Sequence, residues 1–299
     1  MCGIVGLYSK SPAVQEHLGA HLASMLVQMA DRGPDSAGLA VYGEPVDGSK
    51  LSLRLAAGAD WHSIEGQMRE ALGIVSAVFA TPEQVVVTVD AAPAEARSYM
   101  TERFGGLVTL VSVGRAIELY KEAVHPSDFI ASFGVEKMSG SHGLGHTRMA
   151  TESKITTDGS HPFSTGDDLC LVHNGSLSNH NQLRRMLRKE GIHFQTENDS
   201  EVAAGYLTWR MREGATLEQA LEGCLEDLDG FFTFAVGTFD GFAVLRDPIA
   251  CKPAVMAETD DWVAMASEYR ALAVLPGAAD ARVWEPEPGR VYSWSAVTA

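Results

Sequence analysis

Four cysteines in 299 residues are too few and too scattered for a disulfide framework or a structural zinc site. Cys2, Cys170, Cys224 and Cys251 include no CxxC pair, and either use of cysteine needs close spacing or matched partners. Long apolar runs are also missing. Hydrophobic residues make up 45% of the chain, yet no stretch approaches the ~20 residues of a membrane span. No basic segment precedes an apolar one at the start, so a signal peptide is not expected. Positive charge is scarce: 23 Lys and Arg stand against 39 Asp and Glu, for a net charge of -16. That balance argues against nucleic acid as a partner, because phosphate binding needs clustered cations. Internal repeats and low-complexity tracts are absent. The expectation is a cytoplasmic chain with reduced thiols, long enough to bury a full core and without a metal site.

The elements that are there alternate. Residues 4–8 read as a buried strand. Ser11-Pro12 reads as a cap and first helical residue, and Val14, Leu18, Leu22, Met25 and Met29 recur at helical spacing. His17 and His21 on that helix lack a third ligand and fit a solvated or half-buried face. Strands are predicted over 39–42 and 51–55. The stretch at about 60–138 reads as a compact α/β insertion, with strands at 85–89 and 107–111 and helices at 94–103 and 116–121. Beyond it, strands are predicted at 141–148, 169–173, 231–236, 242–245, 262–266 and 291–294. Helices are predicted at 178–189, 200–212 and 217–228. Strands grouped toward both ends suggest an α+β fold with two sheets packed face to face and helices outside.

Cys2 is the first candidate for chemistry. Loss of Met1 would leave it as the N-terminal residue, with a nucleophilic thiol and a basic α-amine in one place. A free α-amine titrates near ~7.7–8.0 and a cysteine thiol near ~8.5, so the two exchange a proton readily at neutral pH. Such a nucleophile needs no distant histidine as its base.

Other segments fit the task of holding an α-amino acid while a thiolate attacks its side-chain amide. Arg148, in Gly145-His146-Thr147-Arg148-Met149-Ala150-Thr151, suits an α-carboxylate, which a planar guanidinium grips with two parallel hydrogen bonds. Asp199, in Asn198-Asp199-Ser200-Glu201, suits the α-ammonium. Asn174 and Gly175, following His173, can offer a side-chain amide and a backbone N–H to the oxyanion. Each segment also has an ordinary use, as a turn, a surface ion pair or a helix cap. Their joint occurrence behind Cys2 favours the site.

Taken together, Cys2-Gly3-Ile4-Val5-Gly6, Asp31-Arg32-Gly33-Pro34-Asp35-Ser36-Ala37-Gly38, the segment 145–151, His173-Asn174-Gly175 and Asn198-Asp199-Ser200-Glu201 resemble class II glutamine amidotransferases. The resemblance implies the N-terminal nucleophile hydrolase fold, a four-layer αββα sandwich, here carrying a small α/β insertion. It implies glutamine as ammonia donor through a γ-glutamyl thioester on Cys2. It assigns Arg148, Thr151 and Asp199 to glutamine binding and Asn174 with Gly175 to the oxyanion hole. Arg32 matches an arginine that orders the site beside the nucleophile. Arg246-Asp247-Pro248 and Ala266-Ser267-Glu268 match late structural signatures. Met149 stands where the family usually has an aromatic residue, Glu152-Ser153-Lys154 departs from the commoner pattern, and the interval from Arg32 to Arg148 is wide. A chain of this architecture is similar to the amidotransferase subunit of N-methylglutamate synthase. That likeness implies a hetero-oligomer in which a glutamate-synthase-like partner subunit carries the acceptor site. It implies no cofactor in this chain and leaves room for FMN and iron–sulfur groups on the partner. Two alternatives stay open: an N-terminal nucleophile amidohydrolase acting on another amide, and a non-catalytic regulatory subunit.

Overall fold

The computed structural model describes residues 2–149 and 155–295. β1 (Gly3–Ser9) leads into α1 (Pro12–Glu16) and α2 (Leu18–Met29), with Pro12 in the first turn, where its missing N–H has no helical partner to lose. β2 (Ser36–Tyr42), β3 (Ser49–Leu55), α3 (Trp61–Leu72), β4 (Ile74–Phe79), β5 (Gln84–Val89), α4 (Pro93–Phe104) and β6 (Val108–Gly114) follow. Next come β7 (Ile117–Glu122), α5 (Pro126–Phe133) and β8 (His142–Arg148). The remainder holds β9 (Cys170–Leu177), α6 (His180–Lys189), α7 (Asp199–Arg212) and α8 (Leu217–Asp227). It closes with β10 (Gly230–Thr238), β11 (Gly241–Arg246), β12 (Val255–Glu258), β13 (Trp262–Ala266), α9 (Tyr269–Leu272), β14 (Arg282–Trp284) and β15 (Val291–Ser295).

Two antiparallel sheets carry the main body, ordered β14-β12-β13-β1-β8-β2-β7 and β15-β11-β10-β9. Ile4, Tyr42, Leu144 and Met265 from the first pack with Val172, Phe242 and Val244 from the second. On the other face of the first sheet, Val5 and Leu39 share a core with Leu22, Leu26 and Phe129 of α2 and α5. On the outer face of the second, Leu171 and Phe234 share a core with Leu187, Tyr206 and Leu221 of α6, α7 and α8. The layers therefore run helix, sheet, sheet, helix, as the αββα reading expects. Strands buried on both faces explain why β1, β2 and β13 read as near-continuous apolar runs rather than alternations. No helix among the described residues is long and apolar enough to cross a membrane.

One element departs from the sequence reading. Residues 116–121, expected as a helix, form strand β7, paired with β2 from Ala37 opposite Glu122 to Tyr42 opposite Ile117. Ile117 and Leu119 enter the core between the sheets while Tyr120 faces the helical layer. Each such apolar burial is worth about 1.5–3 kcal/mol. That outweighs the few tenths of a kcal/mol per residue by which Glu, Leu and Lys favour a helix. The inserted unit is consequently bounded differently from 60–138. Its own sheet, ordered β4-β5-β3-β6, takes strands from Ser49 to Gly114 and packs on α3 and α4 through Leu53, Val87, Met68 and Met100. β7 and α5 belong to the main body.

Candidate active site

The first residues are fixed by strand pairing. Gly3 lies opposite Thr147, and Thr147 Oγ1 donates to the Met29 carbonyl at 2.9 Å. A Cβ on Gly3 would stand 2.7 Å from Met29 Cβ and 2.8 Å from Thr147 Oγ1, so only glycine lets β1 begin here. Cys2 sits just ahead, half-buried, with Sγ 4.0 Å from the Met149 carbonyl.

Two side chains converge on the Cys2 carbonyl. Arg32 Nε donates to it at 3.1 Å and Asn174 Nδ2 at 3.2 Å. Arg32 reaches it from the turn between α2 and β2, with its Nη1 paired to Glu268. That hydrogen bond from Arg32, with Arg270 alongside, holds the Glu268 carboxyl below its usual range. Asn174 Nδ2 also donates to Ser267 Oγ at 3.2 Å, and the same hydroxyl accepts from the Ile4 N–H at 2.9 Å.

Counting donors fixes which way the Asn174 amide points. His146 Nε2 faces the His173 carbonyl at 3.2 Å and Asn174 Oδ1 at 3.3 Å. Both are acceptors, so Nε2 carries the proton, and the Asn174 nitrogen is left aimed at Cys2. Beneath, Ser200 Oγ meets His161 Nε2 at 2.9 Å, His173 Nδ1 at 2.8 Å and Asp199 Oδ1 at 3.3 Å. One proton arrangement satisfies all three. Each histidine donates to the hydroxyl, which donates to the carboxylate. The opposite ring nitrogens, His161 Nδ1 and His173 Nε2, are buried without a protein partner among the described residues. Burial pushes His146 down to about 3 and His173 to about 4, the latter despite the nearby Asp199 carboxylate, and holds His161 well below its usual value. Burial thus favours the neutral form of all three rings.

Gly175 follows on β9, opposite Phe232, with φ of 154°. A Cβ there would fall 2.0 Å from the Phe231 carbonyl and 2.6 Å from His173 Nε2. No side chain fits, and the backbone stays open to solvent.

Asp199 is placed by the start of α7. Asn198 caps the helix by accepting from the Ser200 N–H at 2.9 Å, and Arg184 fixes the cap through the Asn198 carbonyl at 3.0 Å. The Asp199 carboxylate accepts from the Leu177 N–H at 2.9 Å, just beyond Gly175, and an acid in a helix's first turn is favoured by its dipole. Arg148, at the end of β8 and opposite Ser36, donates from Nη1 to the Gly159 carbonyl at 3.0 Å. Asn198 Nδ2 reaches the same carbonyl at 3.4 Å.

A continuous set of contacts thus runs from Cys2 through Asn174, Gly175, Leu177 and Asp199 to Asn198, Gly159 and Arg148. Six of the residues expected from the sequence, Cys2, Arg32, Arg148, Asn174, Gly175 and Asp199, are tied into it. Thr151 lies outside the described residues. Sequence reasoning gave no role to His146, Ser200, Ser267 or Gly159. The first three lie inside quoted motifs and could have been found there, whereas Gly159 carries no motif.

A family model described as a glutamine amidotransferase domain matches residues 146–274. The chain is 55% identical over 297 residues to the glutamine amidotransferase-like protein GlxB of Rhizobium meliloti (strain 1021), covering 98% of each. It is 29% identical over 307 residues to a putative glutamine amidotransferase of Methanothermobacter thermautotrophicus (strain Delta H), covering 98% of this chain and 99% of the relative. Among solved structures it is similar to the glutamine phosphoribosylpyrophosphate amidotransferase of B. subtilis, with a TM-score of 0.63 at 20% identity. That match covers 98% of this chain and 47% of the other, so the likeness is one of fold with about half of a longer enzyme.

Proposed function

Because the chain belongs to the class II glutamine amidotransferases and is a glutamine-hydrolysing enzyme, we propose that Cys2 is its nucleophile and that Met1 is removed to free the α-amine. The observation that carries this reading is the meeting of Arg32 and Asn174 at the Cys2 carbonyl, which holds the start of β1 against an amide donor.

The reaction runs in two halves. The α-amine of Cys2 takes the thiol proton, and Sγ adds to the side-chain carbonyl carbon of glutamine. Asn174 Nδ2 and the Gly175 N–H stabilise the resulting oxyanion, where one lost donor typically costs ~10²–10³ in rate. The carbon–nitrogen bond breaks as the protonated amine gives its proton to the departing ammonia, leaving a γ-glutamyl thioester on Cys2. Water then cleaves the thioester, releasing glutamate and restoring the thiol. Arg148 holds the α-carboxylate, Asp199 the α-ammonium, and Thr151 supports the carboxylate. Arg32, fixed by Glu268, keeps the Cys2 backbone in place.

Ammonia is largely protonated at neutral pH and must be passed on before it equilibrates with solvent. We therefore assign the acceptor site to a partner subunit of glutamate-synthase-like chemistry, such as N-methylglutamate synthase, with any flavin or iron–sulfur group on that partner.

An electrophilic diazoketone analogue of glutamine tests the site. Intact mass should show loss of Met1 and one added label, mapped to Cys2. A chain that retains Met1 while turning over glutamine, or a label elsewhere, overturns the assignment. Arg148→Lys should raise KM for glutamine roughly 10-fold or more with a smaller change in kcat, because a point charge cannot replace the bidentate fork.

A further inference from the structure

We infer that the inserted sheet sets the grip on the substrate's carboxylate, with Arg54 and Gln84 acting as positioning residues on the 157–160 segment that supports Arg148. This rests on the reading of Arg148 as the carboxylate anchor.

Gly159 lends its carbonyl to Arg148, and every neighbour of Gly159 in this short segment is held by a side chain from outside it. The carbonyls of Asp158 and Ser160 both accept from Lys121 Nζ at 3.1 Å. Lys121 is buried on β7 with its ammonium 4.7 Å from the centre of the Phe163 ring. Asp158 is paired through its carboxylate with Arg54 Nη2 at 2.5 Å, reaching across from β3. Thr157 Oγ1 donates to the Glu122 carboxylate, also on β7. Glu122 in turn accepts from Gln84 Nε2 at 3.0 Å, and the same amide donates to the Lys121 carbonyl at 2.8 Å. Gln84 opens β5 and is buried.

The segment is therefore gripped directly by Lys121 and Glu122 of β7 and by Arg54 of the inserted sheet, while Gln84 acts on it through Glu122. β7 is the outermost strand of its own sheet and would otherwise present a free edge. The inserted sheet braces it: Ser52 Oγ accepts from the Leu119 N–H at 2.9 Å, and Lys50 pairs with Glu118 at 2.8 Å. Load passes from β3 and β5, through β7 and residues 157–160, to the guanidinium of Arg148. Displacing a binding group by a fraction of an ångström weakens the contact it makes without touching the reacting atoms.

Arg54→Gln and Gln84→Leu in the full chain test this by steady-state kinetics on two substrates, L-glutamine and L-glutamine α-amide, which lacks the carboxylate. Losing these polar contacts should raise KM for glutamine by roughly 3- to 10-fold and leave kcat within about twofold. Turnover of the α-amide should move by less than about twofold, because it does not use the anchor. A purely structural role would lower both substrates together, and that result, or an unchanged KM for glutamine, overturns the inference. If Gln84→Leu does not fold, Arg54→Gln carries the test alone, since Arg54 and its partner Asp158 are both partly exposed and Arg54 lies outside the apolar cluster of the inserted sheet. Arg148→Lys separates the two levels. An unchanged KM in that variant sinks the anchor reading itself, whereas a raised KM there with none in Arg54→Gln sinks only the role of the inserted sheet.

Discussion

Cys2→Ala should abolish glutamine hydrolysis, by ~10⁴-fold or more, while leaving the unfolding midpoint nearly unchanged. The two halves of that expectation have separate causes. On the proposed mechanism the thiol forms the acyl bond, so removing it removes that step. The thiol contributes little to the fold among the described residues, being half-buried with a long contact of 4.0 Å from Sγ to the Met149 carbonyl. Substitutions of this kind usually change stability by no more than about 0.5 kcal/mol. The Cys2 backbone, which Arg32 and Asn174 hold, survives the change. A glutaminase assay beside a denaturant titration checks both parts. Undiminished turnover in the alanine variant would refute the mechanism, and a collapsed fold would refute the claim that the thiol is structurally idle.

The second large effect is on stability and follows from burying neutral histidines. His142 and His173 are held down at about 4 and His146 at about 3, with His161 also well below its usual value, in each case chiefly by burial. Unfolded, each returns to about 6.5. Between those values the unfolded chain binds protons that the fold refuses, so stability is complete above about pH 6.5 and falls as pH drops. One pH unit below 6.5, each ring costs on the order of 1 kcal/mol, so the four together cost several kcal/mol. Against a typical ~5–15 kcal/mol of total stability, urea midpoints should drop sharply between pH 7 and pH 5.5. His142 lies away from the site, stacked on Tyr42 at 4.1 Å and hydrogen-bonded to the Thr238 carbonyl at 2.9 Å. His142→Gln should therefore flatten the slope by about one proton without altering the active site. A midpoint that is level from pH 7.5 to 5 would contradict the burial argument.

What could be read from the sequence was local. Arg148, Asn174, Gly175 and Asp199 each sit in a short segment whose residue types announce a task, and the apolar runs of β1, β2 and β13 announce buried strands. The four-layer arrangement was legible only through the family resemblance together with strands near both ends. What stayed hidden depends on distant partners. Residues 116–121 carry helix-forming side chains, yet burial of Ile117 and Leu119 between the sheets makes them a strand. α3, β4 and α5 carry no motif and were not anticipated. The support of Arg148 by Gly159, and of that segment by Lys121, Arg54 and Gln84, joins residues far apart in sequence whose types suggest nothing individually. The histidines show the same limit. His146 and His173 were visible inside their motifs, but their roles emerge only when donors and acceptors are counted in three dimensions.

The place of β1 in its sheet has a consequence for how the molecule is made. It is neither an edge nor a late addition: it is flanked by β8, with Gly6 opposite Leu144, and by β13, with Val5 opposite Ala266. β1 therefore waits for β13 (Trp262–Ala266) to be made before both its sides are filled. Contacts of such long range form slowly. Until β13 has been made, Cys2 lacks the finished sheet behind it, and on the proposed mechanism glutamine hydrolysis stays silent until then.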